Sequence, residues 1–341
     1  MSAGLPPHPA PDHEADAGPE AEVEPDLGAG PEAGEDHEAG EDHEAEVEPD
    51  LGADPDLKAD AEAQSDSDAR SDPEARSEAR FELDRLSRYE VVRVRAPNPG
   101  PLTLSGTNTW VVGRRPAWVV DPGPLIDSHI ERLFAAIDLA GGLGGVALTH
   151  DHYDHAEAVD ALLERYPAPL AAGSGRGDVK LAEGERFGPF EAVATPGHSE
   201  DHFALVMRGV CFTGDAVLGE GSVFITPNRG AMSSYLLALE GLRRRGDIDV
   251  ICPGHGSPVW DARSKLEEYI AHRLEREHNL VLALSQGLRT LPELLEAVWA
   301  DVPEALRPLA AVTLAAHLDK LEDEQGLPAG VERPQFEQID W

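Results

Sequence analysis

Cysteine is scarce in this chain of 341 residues, which has only Cys211 and Cys252. Two cysteines far apart in the sequence exclude a disulfide framework and favour reduced thiols in a cytoplasmic protein. No run of 18 apolar residues occurs, so no membrane-spanning helix and no membrane partner are expected. The first residues carry neither a basic nor an apolar segment typical of a secretory signal.

Basic residues are also few, since 28 lysines and arginines face 65 acidic residues and give a formal net charge of -37. The first 80 residues contain 26 of the acidic side chains and only 4 of the basic ones. A chain this acidic disfavours non-specific binding to double-stranded DNA or to an anionic membrane.

Aromatic residues are absent before Phe81, and the same stretch is repetitive: "AEVEPDLGA" occurs at 21–29 and again at 45–53. Such a segment cannot bury enough apolar surface to offset the chain entropy lost on folding. The sequence therefore predicts a disordered acidic tail over 1–85.

From about residue 88, segments typical of strands alternate with segments typical of helices, which indicates an α/β layered domain over 86–260. Its polar motifs follow strands, where α/β folds place their sites. Residues 261–341 predict helices and a short extended end, a winged-helix-like appendage. With 4 basic and 11 acidic side chains after residue 285, this appendage lacks the basic face of a DNA-reading module. A packing or substrate-lid role is expected instead.

The stretch "HDHYDH" at 150–155 places imidazoles and carboxylates at the end of an apolar strand. His150 and His152 are two apart on an extended segment, so both can face one metal ion. Asp154 and His155 lie on the turn into a helix and can reach a second ion. Imidazole nitrogens and carboxylate oxygens suit zinc and its first-row neighbours.

Three later strand ends supply the missing ligands, in "ATPGHSEDH", "FTGDAVLG" and "CPGHGSPV". A lone histidine at a strand end is usually a structural hydrogen-bonding group, whereas the joint pattern predicts a two-metal site. One metal is expected on His150, His152 and His198, the other on Asp154, His155 and His255, with Asp215 as a bridge. His202 is either an orienting residue or merely exposed. Asp121 either orients a ligand histidine or only starts a turn.

The motifs "THDHYDH", "PGHSEDH", "FTGDAV" and "PGHG", in this order, resemble the metallo-beta-lactamase fold hydrolases. Further downstream, "GSVFITPNRGAMSSYLLALEGLRR" and "PGHGSPVWDARSKLEEYIAHRLERE" resemble the beta-lactamase-like protein 2 subgroup, which extends the match to about 88–330. The resemblance implies an αβ/βα four-layer sandwich with the dinuclear site at one edge of the two sheets. A histidine at position 152 favours two Zn²⁺ ions, with manganese or iron as the other options.

The chemistry expected of such a site is hydrolysis of an ester-type bond by a metal-bridging hydroxide, since two metal ions lower the pKa of water to near 7. The resemblance gives Asp154 a catalytic role in proton transfer, with a pure ligand role as the alternative. The subgroup implies a phosphodiester of single-stranded RNA as the substrate. The alternatives are a thioesterase or glyoxalase II-like hydrolase of small acyl thioesters, and a non-catalytic binding protein stabilised by its metals.

Substrate contacts are less well marked in the sequence, which also does not define an oligomeric state. Polar or cationic groups near the expected cleft are Asn108, Tyr235, His272, Arg273 and Arg276. The cations could meet a phosphate or a carboxylate, or they could form ion pairs on a helix surface. The run Arg243 to Arg245 is better explained as a solvated helix end.

Overall fold

The computed structural model describes residues 73–335, so most of the segment expected to be a disordered tail, 1–85, lies outside the described part of the chain. The last part of that segment is helical, because helix α1 spans Pro73–Leu86. Leu86 is buried, and the Arg85 guanidinium lies 3.7 Å from the centre of the Trp260 ring. These contacts correct the expectation of disorder up to residue 85, since they tie the helix to the folded domain.

The first sheet has six strands in the order β1-β2-β3-β4-β5-β6, and the pairs from β3 onwards are parallel. All five residues of β2, "NTWVV", are buried, as expected for a strand covered on both faces. The stretches "YEVVRVRA" and "TWVVGRRPAWVVDPG" have patterns typical of strands, and they contain the first three strands. The strands are β1 Val91–Arg95, β2 Asn108–Val112, β3 Ala117–Val120, β4 Leu143–Ala147, β5 Leu170–Ala172 and β6 Val179–Lys180.

The second sheet has five strands in the order β11-β10-β9-β8-β7, of which only β10 and β11 pair in parallel. The edge strand at Arg186–Phe187 has only two residues, and the sequence pattern does not predict it. The strands are β7 Arg186–Phe187, β8 Phe190–Ala194, β9 Phe203–Met207, β10 Gly209–Gly214 and β11 Ile248–Pro253.

Helices cover the outer face of each sheet: α2 Asp127–Ala140, α3 Tyr153–Ala156, α4 Val159–Arg165, α5 Ala231–Arg244 and α6 Ala262–Ser285. Leu133 and Leu162 pack α2 and α4 on the first sheet. Trp110 and Phe212 belong to the cluster between the sheets, and Leu239 packs α5 on the second sheet. Each fully buried side chain of this kind stabilises the fold by about 1.5–3 kcal/mol. The layers run helix, sheet, sheet, helix, which confirms the predicted αβ/βα sandwich.

The C-terminal module consists of the second half of α6, then α7 Leu291–Trp299, a 3₁₀ turn at Glu304–Leu306 and α8 Arg307–Asp323. A second 3₁₀ turn, Ser87–Tyr89, follows α1. The C-terminal module has its own apolar cluster, built on residues such as Leu280, Leu294 and Leu318. The first half of α6 packs instead with the second sheet. Because this one helix packs in both apolar clusters, the domain boundary between residues 260 and 261 stays a prediction. Within residues 73–335, no helix is both long enough and apolar enough to cross a membrane.

Candidate metal centre

Four segments that follow strands meet at one edge of the sandwich and carry the motif residues. The segment after β4 leads into α3 and holds the "HDHYDH" side chains, while the turn after β8 holds His198. Asp215 directly follows β10, and His255 follows β11. Gly254 N donates to Gly214 O at 2.8 Å, which brings the last two segments side by side. The ends of strands that lie close in the two sheets thus place distant residues together.

All seven predicted metal ligands lie together in three overlapping groups of side chains. The donor atoms of each group lie within 4.8 Å of one another. The groups are His150, His152 and His198; His150, His155 and Asp215; and Asp154, His155 and His255. Asp215 Oδ2 lies 3.7 Å from His198 Nε2 and 3.3 Å from His255 Nε2, so its carboxylate faces both halves of the cluster.

The cluster fits metal ions, because several of its buried polar atoms have no hydrogen-bond partner. His150 Nε2, His155 Nε2 and Asp215 Oδ1 are buried without a hydrogen bond. Such orphaned atoms are rare in proteins and point to a group that binds them. A Cβ atom on Gly254 would come within 2.4 Å of Asp215 Oδ1 and 2.6 Å of His155 Cε1, so only glycine allows this close approach.

Asp121 is held against the histidines from behind. Its carboxylate accepts hydrogen bonds from the Thr149 backbone N and Oγ1, both at 2.7 Å, and lies 2.9 Å from His155 Nδ1. The carboxylate therefore holds the proton on Nδ1 and leaves Nε2 of His155 for a metal ion. This placement agrees with the orienting role, one of the two expected for Asp121, and the predicted ligand histidine that it contacts is His155.

His202 is buried and is not part of the three ligand groups. Its Nδ1 lies 2.7 Å from Thr195 Oγ1, and its Nε2 accepts a hydrogen bond from the Asp215 backbone N at 3.1 Å. His202 is therefore not exposed, and its ring nitrogens contact Thr195 and Asp215 instead of His198. It holds the backbone of Asp215 in place.

Thr107 and Asn98 form a contact to the cluster that sequence reasoning missed. Thr107 Oγ1 donates to Asp154 Oδ2 at 2.8 Å, and Asn98 Nδ2 donates to Thr107 Oγ1 at 2.9 Å. Asn98 Oδ1 also accepts from Thr107 N at 2.9 Å. No sequence motif marks this pair, because both residues lie about fifty residues before Asp154. Thr107, within "SGTNTW", adjoins Asn108, which is one of the predicted substrate contacts.

Burial and neighbouring charges displace the pKa values of the cluster in both directions. Burial lowers the pKa of His150 well below its usual value. Burial also opposes the charged form of His255, but the Asp215 and Asp154 carboxylates outweigh it and raise the pKa to about 9. Burial likewise opposes ionisation of Asp154, yet His155 and His255 bring its pKa well below the usual range. Asp154 is thus a carboxylate at neutral pH.

A cavity of about 820 Å³ opens beside the cluster and extends to the C-terminal module. Its lining includes five of the predicted ligands, namely His152, Asp154, His198, Asp215 and His255. The volume lies within the range of about 300–1,000 Å³ typical of small-molecule sites. Five of the predicted metal ligands thus lie at the surface of a substrate-sized space.

Three of the five predicted substrate contacts line this cavity: His272, Arg273 and Arg276. Asn108 does not, because it is fully buried and its Nδ2 donates to the carbonyls of Pro253 and Gly256. Tyr235 does not either, because it lies in the core and its hydroxyl donates to Ala216 O at 2.7 Å. These two expectations are corrected, since both polar groups bond the protein backbone inside the fold.

The cationic groups that line the cavity are engaged by the protein. Arg273 is 2% exposed and donates to Ser222 Oγ at 2.8 Å and to the Val223 carbonyl. Arg276 donates to both carboxylate oxygens of Asp301, at 2.7 and 2.6 Å. Burial and the neighbouring arginines lower the pKa of His272 to about 4, so it is neutral. The run Arg243 to Arg245 forms ion pairs elsewhere, with Glu240, Glu191 and Asp247.

Comparison with known proteins agrees with this architecture. Residues 290–326 match the beta-lactamase associated winged helix domain. A beta-lactamase-like protein 2 homolog of Caenorhabditis elegans is 30% identical over 74% of this chain and 89% of its own length. An atrochrysone carboxyl ACP thioesterase of Aspergillus chevalieri is 33% identical over 63% of this chain and 74% of its own length.

The fold has a counterpart among solved structures. A beta-lactamase domain protein from Burkholderia ambifaria superposes with a TM-score of 0.61 at 21% identity, over 71% of this chain and 90% of that one. The αβ/βα fold, the C-terminal winged helix domain and the relatives of similar length agree with one another. The chain therefore belongs to the beta-lactamase-like protein 2 family of metallo-beta-lactamase fold hydrolases.

Proposed function

We propose that the protein is a zinc-dependent hydrolase of acyl thioesters. His150, His152 and His198 would hold one ion and Asp154, His155 and His255 the other, with Asp215 shared between them. A donor set rich in imidazole suits zinc. When bound, the ions would lower the pKa of water to near 7 and polarise the carbonyl of the substrate.

Asp154 is the residue of this chain that we assign to proton transfer. Its side chain is 27% exposed and reaches the cavity, while Thr107 fixes one of its oxygens at 2.8 Å. Because its carboxylate lines the cavity beside the ligand histidines, it lies where it can accept a proton from the attacking water. His202 and Asp121 meanwhile hold Asp215 and His155 in place, so the cluster is preorganised.

The observation that carries the choice of substrate is the charge of the cavity wall. Apart from the ligands Asp154 and Asp215, its described lining contains three carboxylates and two guanidinium groups, and both guanidinium groups are engaged by protein acceptors. A polyanion such as RNA needs a positively charged groove along its backbone. A thioester brings no charge at its reacting centre and does not need such a groove. The thioesterase activity in the name of the Aspergillus relative supports the same choice.

Single-stranded RNA is the second candidate substrate. Tyr153 lines the cavity and its side chain is 61% exposed, so its ring could stack on an unpaired base. This residue lies between two of the predicted ligands, His152 and Asp154, which would place a neighbouring phosphodiester close to the metal ions.

The test compares thiol release from butyryl-N-acetylcysteamine with cleavage of end-labelled single-stranded RNA, both by the zinc-loaded full chain. Thioester turnover should fall more than about a hundred-fold in Asp215→Ala, beyond the loss typical of a residue that only orients a ligand. Asp151→Ala is the matched control, because Asp151 lies in the same motif but is paired with Arg176 and belongs to none of the ligand groups. Cleavage of RNA without thioester turnover would overturn the proposal in favour of the second candidate.

A further inference from the structure

The C-terminal module, which matches the winged helix domain and is called the winged-helix module below, forms one side of the cavity. This side consists of the lining residues between 299 and 313. We call this side the module wall. We propose that the module wall binds the apolar acyl group of the substrate and selects substrates by acyl length. This inference rests on the proposed function, since it places the thioester carbonyl beside the metal ligands and the acyl chain against the module.

The module wall is mainly apolar. It consists of Trp299, Asp301, Val302, Pro303, Leu306, Leu309, Ala310 and Thr313. Leu306 and Leu309 are only partly buried, so their side chains remain open to the cavity. An apolar ligand would therefore cover surface that now faces water, which is the main favourable contribution to binding of this kind.

The polar groups on the module wall are satisfied by the protein itself. Asp301 is paired with Arg276 through two hydrogen bonds. The hydroxyl of Thr313 accepts a hydrogen bond from Ile225 N at 3.3 Å. A polar substrate would find no uncompensated charge here, and a polar arm that lost its water without gaining a partner would bind poorly.

Phe224 connects the module wall to the metal ligands. Its ring lines the cavity and lies 4.8 Å from the His198 ring, centre to centre. Its carbonyl oxygen lies 3.3 Å from His198 Nδ1, so the same residue orients a ligand and offers an apolar surface. If the reacting carbonyl lies at the metal ligands, the first carbon atoms of the acyl chain would contact the apolar ring of Phe224.

Length selection follows from the limited extent of the apolar module wall. Each methylene group buried from water strengthens binding about four-fold. Affinity should therefore rise with each added methylene that lies against the module wall, and level off for chains that reach beyond it into the remaining cavity.

The experiment measures binding of straight-chain carboxylates, from acetate to dodecanoate, to the zinc-loaded full chain by titration calorimetry. Leu306→Trp should shorten the longest chain that still gains affinity, because the larger side chain fills part of the cavity. Leu306→Ser should weaken the binding of long chains and leave acetate unchanged, and it is the second variant if the first does not fold. Leu237→Trp is the control, since Leu237 is 73% exposed on α5 and is not part of the cavity lining.

Affinity that does not depend on chain length, or on Leu306, would overturn the role of the module wall even in an active thioesterase. A length-dependent affinity that both Leu306 variants alter, with no thioester turnover, would support the module wall and reject the proposed reaction alone. The two ideas can thus fail separately.

Discussion

The hydroxyl of Thr107 is a single group on which the position of Asp154 depends. Thr107→Val keeps the shape of the side chain but removes its hydrogen bond to Asp154 Oδ2. Loss of an outer partner of a metal ligand typically costs about 10- to 100-fold in metal affinity or activity. We expect zinc affinity to fall by about this factor in Thr107→Val, as measured by competition with a chelator. Thr107→Ser should restore most of the affinity, and equal losses in both variants would show that the methyl group matters instead.

Gly254 is a second residue whose chemistry follows from its size. Gly254→Ala should displace Asp215 or His155 and reduce the zinc content per chain, because the new methyl group would lie 2.4 Å from a ligand oxygen. Gly241→Ala provides the contrast, since nothing lies within 4 Å of that position on helix α5. The control should keep its zinc and gain about 0.5–1 kcal/mol of stability. Full zinc occupancy in Gly254→Ala would contradict the close packing of the cluster.

At this scale the structure brings the predicted ligand side chains together more completely than the predicted substrate contacts. Seven histidines and aspartates in four motifs at strand ends come together because parallel and neighbouring strands end at one edge. Asn108 and Tyr235 could not be judged in the same way, because the side on which a polar residue faces depends on packing. Asn98 acts from a loop that no motif marks, so only the folded structure shows it.

Among the elements, α1 differs most from expectation, because composition alone suggested a tail. Leu86 at its end is 1% exposed in the core between the sheets. Leu86→Ala should destabilise the protein by about 2–5 kcal/mol, as typical for a core leucine. Phe81→Ala, at a side chain that is 60% exposed, should change stability by less than about 0.5 kcal/mol. Equal, small effects in denaturant unfolding would show that α1 is not part of the cooperative fold.

The segment after "HDHYDH" shows why helix boundaries were harder to predict than helices. The pattern "HAEAVDALLERY" at 155–166 predicts one helix, but the structure has α3 and α4 with a break between them. At the break, Ala158 N donates to Gly123 O, and Gly123 N donates to His155 O. These bonds divert the backbone to the loop behind the metal cluster, a tertiary effect that local sequence does not encode. By contrast, the pattern "DARSKLEEYIAHRLEREHNLVLALSQG" at 261–287 predicts one long helix, and α6 begins at Ala262 and ends at Ser285.

For the whole molecule, metal binding and folding are linked, because the ligands come from four separate segments. An ion that binds only the folded state stabilises it by about 2.7 kcal/mol at a free concentration of 100 times its Kd. For a folded region of this size, that corresponds to a rise in Tm of about 5–10 °C on zinc addition. Asp215→Ala should show a smaller rise in the same thermal scan. An identical rise in both proteins would place the stabilising metal outside this cluster.

We propose that these seven side chains form the metal centre of a thioester hydrolase whose cavity is closed on one side by the winged-helix module. The most direct measurement is thiol release from butyryl-N-acetylcysteamine by the metal-stripped chain before and after zinc is restored. We expect no turnover without metal and full recovery with zinc, and no recovery in Asp215→Ala. Turnover that survives metal removal, or zinc-loaded protein that leaves the thioester intact, would contradict this proposal.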